Sequence, residues 1–150
     1  MGKLAELQKR LEKFDPDEVL NDVLKDTDKP ETLIKDRLNK KGERSTGEKI
    51  KTKRAHRGVY ANTTIFLKIK KGQPYDRVTL KDTGDFQKSF EKKLLKDALQ
   101  IEGNSDKPDG KIEDNVDLTN VLNLSNNEIS ELVKEIKPTY IQAVRDIIGV

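Results

Sequence analysis

The chain contains no cysteine, which excludes disulfide bridges and thiolate metal sites and fits a reducing compartment. It has one histidine, His56, so a catalytic imidazole base has a single candidate. No stretch reaches the roughly 18 consecutive apolar residues of a membrane span. Residues 1–10 are charged and periodic with no apolar signal region, so the expected product is soluble and intracellular, with no membrane partner. An excess of one charge is missing too. The 30 basic and 27 acidic side chains give +3, unlike the uniformly basic composition of a dedicated nucleic-acid binder.

Apolar side chains are also scarce, at 33% against 38% charged, with a mean hydropathy of −0.83. The core must therefore be small. Burial contributes about 25 cal/mol per Å² of apolar surface, and little is left after chain entropy is subtracted. Stable order is expected to draw on partner subunits. At 150 residues one domain is the first expectation.

Leu4, Leu7, Leu11 and Phe14 recur at three- and four-residue spacing and predict an N-terminal helix. Asp15-Pro16-Asp17-Glu18 predicts a second start, with an N-cap and a proline at the first helical position. Val19, Leu20, Val23 and Leu24 would be its buried face. A third start at Asp28-Lys29-Pro30-Glu31 carries Leu33, Ile34 and Leu38 to a stop at Gly42.

From Lys40 to Asn62 apolar residues almost vanish, and a long mobile loop is expected. Thr63 to Ile69 is β-branched and aromatic, with Ile65, Leu67 and Ile69 alternating, and reads as a strand, with a helical turn as the alternative. Gly72-Gln73-Pro74 makes a turn, after which Val78 and Leu80 would share one face of an extended segment. Phe86 and Phe90 lie four apart, so a helical turn capped by Thr83 would set both rings on one side.

Ser89 to Leu95 and Ala98 to Glu102 predict a hairpin with an inner face drawn from Phe90, Leu94, Leu99 and Ile101. Gly103 to Asn120 reads as a second loop inserted at the periphery. Ser125-Asn126-Asn127-Glu128 is a capping box. It opens a long helix whose apolar stripe, Ile129 to Ile148, survives Pro138 and is expected to lie across the sheet. The fold class that follows is α+β, a small antiparallel sheet with N-terminal helices and a long C-terminal amphipathic helix. The expected division is a helical segment 1–42 and an α+β domain 43–150, with flexible loops at 43–62 and 103–120.

Few residues carry chemistry. His56 sits between Ala55 and Arg57 in the basic loop and reads as an exposed loop histidine. Ser105-Asp106-Lys107-Pro108-Asp109-Gly110 resembles a calcium loop only superficially, since lysine and proline separate the acids. Phosphate-loop, nucleophile-elbow and zinc spacings are absent, and no catalytic, metal or cofactor residue is assigned. Lys49, Lys51, Lys53, Arg54 and Arg57 form a run with no acid between its ends, and Lys68, Lys70 and Lys71 form a second patch. Such a run can neutralise phosphates without reading sequence, or stand as a solvated rim facing an acidic partner. Both readings stay open.

The segment 71–90 resembles a pattern in virion-morphogenesis and tail-completion proteins of tailed phages. The matching positions are Leu80, Asp82, Thr83, Gly84, Phe86, Ser89 and Phe90. The order of parts is similar as well, with N-terminal helices, a basic linker containing Gly47-Glu48-Lys49, the threonine-glycine turn, a hairpin and a C-terminal helix. The chain lacks the tryptophan common before that linker.

The resemblance implies a structural, non-enzymatic component of a phage particle, made in the host cytoplasm and placed at the neck or head–tail junction. It would act without a cofactor, as a ring-shaped homo-oligomer in contact with portal, connector or tail proteins. Whether DNA passes close by stays open. The alternative is a non-specific DNA-binding accessory protein that uses the 49–57 run.

Overall fold

The computed structural model describes residues 2–150. The fold is α+β, with helices α1 (Gly2–Glu12), α2 (Pro16–Lys25), α3 (Lys29–Lys40), α4 (Asn62–Lys70), α5 (Asp85–Lys88) and α6 (Asn126–Ile148). Strands β1 (Glu91–Leu94) and β2 (Leu99–Glu102) form an antiparallel hairpin. β3 (Asp106–Lys107) and β4 (Gly110–Lys111) form a second, shorter one, followed by a 3₁₀ turn at Ile112–Asp114.

The helix starts follow their caps. The Asp15 carboxylate accepts the backbone N–H groups of Asp17 at 2.9 Å and Glu18 at 3.3 Å, with Pro16 at the first turn. α2 then buries Val19, Val23 and Leu24. At α6 the Ser125 hydroxyl accepts from the Glu128 N–H, and the Glu128 carboxylate accepts from the Ser125 N–H at 2.7 Å. Two orphan donors are thereby satisfied at one helix end. The helix runs through Pro138 to a left-handed stop at Gly149.

Two apolar clusters hold the chain together. The larger gathers Ile34 and Leu38 of α3 with Ile50, Val59, Tyr60, Val78, Phe86, Phe90, Ile101, Ile112, Val116 and Val121. The smaller joins Leu24, Leu33 and Leu132, flanked by Leu20, Leu94, Leu99 and Ile136. α6 packs on α2, α1 and α3. Its Leu132 shares the smaller cluster with Leu94 and Leu99 of the β1–β2 hairpin, but its main packing is on the helices, where a position across the sheet was expected.

One charged residue crosses between these parts. Arg37 donates through Nε to the Glu43 carbonyl at 3.0 Å, and through Nη2 to the carbonyls of Val121 at 2.6 Å and Asn123 at 3.0 Å. Its Nη1 pairs with Glu128. α3, the chain after it and the start of α6 are thus locked together by one guanidinium.

Several expectations change. Thr63 to Ile69 is helical within α4, not a strand. No strand lies beside it among the described residues, so a helix, which satisfies its own backbone groups, is the conformation left to it. The stretch from Lys40 to Asn62 has little regular structure, yet Ile50, Val59 and Tyr60 are core residues. It is pinned by the Thr52 N–H to Val59 carbonyl bond at 2.9 Å and by the Lys53 N–H to Asn115 carbonyl bond at 2.8 Å.

The stretch from Gly103 to Asn120 is not wholly peripheral, because Ile112 and Val116 enter the same core. Leu80 turns at φ +53 and so does not continue an extended segment with Val78. The cap of α5 is Gly84, at φ +90, instead of Thr83. The β1–β2 hairpin keeps its predicted limits to within two residues, with Lys92 opposite Ile101 and Leu94 opposite Leu99.

Candidate functional site

The residues singled out by the sequence fall into two places. Those resembling the phage pattern build the corner leading into α5. The Thr83 hydroxyl donates to the Asp85 carboxylate at 2.6 Å, and Gly84 supplies a left-handed backbone that any β-carbon makes costly. Phe86 and Phe90 meet edge to face, ring centroids 5.1 Å apart. The Ser89 hydroxyl donates to the Phe86 carbonyl at 2.7 Å and accepts the Asn104 N–H at 2.8 Å, binding the corner to the chain after β2. A β-carbon at Gly103 would stand 2.9 Å from the Phe86 ring and 3.1 Å from that of Phe90. Apart from Leu80 and Asp82, whose roles are given below, this corner is a packing device.

The basic run is dispersed. Lys49 is held by the Lys41 carbonyl at 2.7 Å and by Glu43 at 3.2 Å. Lys53 donates to the Glu113 carbonyl at 2.5 Å. Lys51, Arg54, His56 and Arg57 are exposed, and Lys51, Arg54 and Arg57 form no ion pair among the described residues.

Arg54 instead joins a cleft of about 370 Å³ between α4, the Val78–Asp82 segment and the Ile112–Val116 turn. Around it stand Arg54, Lys68, Lys71, Lys81 and Lys107, with Asp82 the single carboxylate in the lining. Leu67, Val78, Leu80, Ile112 and Val116 supply apolar walls, and Thr63 and Thr64 bring hydroxyls from the first turn of α4. Asp82 pairs with Lys71 at 3.3 Å, and its carbonyl accepts from Gln73 at 3.3 Å.

The electrostatics follow from that lining. Lys68 is half-buried, with its ammonium 4.9 Å from the Tyr60 ring centre. Burial pushes its pKa below the usual lysine value, and Lys71 and Lys107 push the same way against Asp82. A cation held among cations is relieved by any anion entering the cleft. Tyr60, buried beneath it, is pushed up to about 12 by burial, with the Thr79 backbone acting in the opposite direction.

An adjoining cleft of about 260 Å³ has the opposite character. It is lined by Asp82, Asp85, Asp106 and Asp109, with Lys107 shared between the two. No group of three or more acidic or histidine side chains is placed to hold a metal ion among the described residues. No helix among them is long and apolar enough to cross a membrane.

Sequence reasoning found Arg54, Lys68 and Lys71 as parts of two separate patches. It missed Lys81 and Lys107, which sit singly beside acids and carry no local signal. It also missed the exposure of α4, where Phe66 and Ile69, 68% and 55% exposed, share one face and Leu67, 55% exposed, borders the cleft. The strand reading of that segment hid this face. No protein family, curated protein or solved structure matches the chain.

Proposed function

We propose that this protein is a structural component of a tailed-phage particle. It acts at the neck or head–tail junction without chemistry of its own, through contacts with ring-forming neighbours, as a ring-shaped homo-oligomer. Its partners would be portal, connector or tail proteins, and its location the virion. The observation that carries the reading is the outward side of α4, where Phe66 and Ile69, one turn apart, are both more than half exposed on a chain whose buried core is small. Contiguous exposed apolar surface of this kind marks protein contact sites. The pattern from Leu80 to Phe90 supports the phage assignment by its resemblance alone.

The test is to separate DNA-filled particles from a lysate on a density gradient and quantify the chain by mass spectrometry. Sedimentation with the particles at a fixed ratio to the portal protein is the expected result. Confinement to the soluble fraction would reject the reading.

A second reading, a non-specific DNA-binding accessory protein, is favoured by the exposed, unpaired state of Lys51, Arg54 and Arg57 among the described residues. It requires affinity that falls steeply with salt and is abolished by charge reversal at Lys51, Lys53 and Arg54.

A further inference from the structure

We propose that the cation-lined cleft is a docking site for an extended acidic peptide segment of a partner protein. Carboxylates of the segment lie against Arg54, Lys71, Lys81 and Lys107, and an apolar side chain rests on Leu67 and Leu80. The inference rests on the assembly reading above and names one of its contacts.

Charge fixes the sign of the occupant. Of the five cations around the cleft only Lys71 has a carboxylate partner among the described residues, so the lining carries uncompensated positive charge. The walls then separate a peptide from a nucleic acid. Single-stranded nucleic acid is held by a phosphate-tracking groove together with open aromatic faces for stacking. Here the one ring in the lining, Tyr60, is only 5% exposed, and the Lys68 ammonium lies over it. What the cleft offers in place of a stacking platform is aliphatic, with Leu67, Val78 and Leu80 in its walls. A chain of alternating carboxylates and apolar side chains matches both features. The volume, about 370 Å³, lies at the lower end of the range of roughly 300–1,000 Å³ for ligand cavities, as suits one anchoring side chain.

The test uses the full-length protein and fluorescein-labelled probes at about 0.15 M salt, where charges more than about 8 Å apart are largely screened. The probes are a peptide of alternating Glu and Leu, its Gln/Leu counterpart and a mixed-sequence single-stranded oligonucleotide. Saturable binding of the Glu/Leu peptide alone is expected. It should weaken about tenfold or more in Lys71→Glu/Lys81→Glu and severalfold in Leu67→Ser, while Lys51→Glu, outside the cleft, changes it less than about twofold. Thermal unfolding checks each variant, and Lys71→Gln/Lys81→Gln replaces the double reversal if that variant loses its fold.

Absence of saturable binding, or equal binding of the Gln/Leu peptide, overturns the proposal. So does tighter oligonucleotide binding lost in the same lysine variants, which would make the cleft a nucleic-acid site. A protein that sediments with particles but ignores the acidic peptide refutes this inference alone. One that binds the peptide and is absent from particles refutes the particle assignment alone.

Discussion

The guanidinium of Arg37 in α3 donates to the carboxylate of Glu128 in α6, 91 positions further along the chain, and the two side chains are only 7% and 10% exposed. The same carboxylate accepts the Ser125 N–H, so the ion pair and the helix cap share one oxygen. Burial pushes the Arg37 pKa down while Glu128 draws it back up. Removing one partner leaves the other desolvated and alone. Arg37→Met is therefore expected to cost about 3–5 kcal/mol in urea unfolding. The double variant Arg37→Met/Glu128→Gln should recover part of that loss, since the amide oxygen can still accept from Ser125.

Gly42 and Gly47 make a controlled pair. Both have positive φ, +61 and +86, but a β-carbon at Gly42 would stand 2.7 Å from the Arg77 Cβ and 2.9 Å from the Val78 nitrogen. At Gly47 it would meet nothing within 4 Å. Gly47→Ala should cost about 1–2 kcal/mol of backbone strain alone. Gly42→Ala should cost at least about 2 kcal/mol more, because backbone as well as side chain must move. Chemical denaturation of the two variants checks the difference.

Tyr60 gives the fold an alkaline limit. Its pKa of about 12 lies above the ordinary value of 10 because burial favours the neutral phenol. The unfolded chain releases that proton first, so the contribution is whole below pH 10 and is lost as pH rises toward 12. The loss amounts to about 3 kcal/mol at most. Lysines titrate in the same window, so the informative quantity is a difference. Between pH 10 and 12 the stability of Tyr60→Phe should fall less steeply than that of the wild type, by urea unfolding at each pH.

Phe66→Ser/Ile69→Ser tests the α4 face. Both side chains are more than half exposed, so the isolated protein should change in stability by no more than about 0.5 kcal/mol per site. Recovery in gradient-purified particles should drop severalfold. Unchanged recovery would remove this face from the assembly contacts.

The legible parts of the fold were those specified by neighbouring residues. The Asp15 and Ser125 caps state their helices within four positions, and the alternation across Leu94, Leu99 and Ile101 states the hairpin. Alternation misled at Ile65, Leu67 and Ile69, because a β-branched segment becomes a strand only where another strand receives its hydrogen bonds. Only Ile65 of these packs on the core; Leu67 borders the cleft and Ile69 is exposed. The stretch from Gly103 to Asn120 is too polar to read as core, yet Ile112, which opens the 3₁₀ turn, and Val116, four residues on, are buried. The Arg37–Glu128 pair and the gathering of Arg54, Lys68, Lys71, Lys81 and Lys107 depend on chain crossings that no local window contains.

Lys107 and Asp82 stand on the boundary of two adjoining grooves of opposite sign. The pair therefore has an electrical polarity along its length, positive beside α4 and negative beside α5. A partner strand long enough to occupy both has one favoured heading, with its acids toward Lys71 and Lys81 and its bases toward Asp85, Asp106 and Asp109. Turned end for end, the same strand would set like charges against each other at both ends, a repulsion that selects against that heading. Two small surface grooves thus act together as an arrow that orients whatever lies across them.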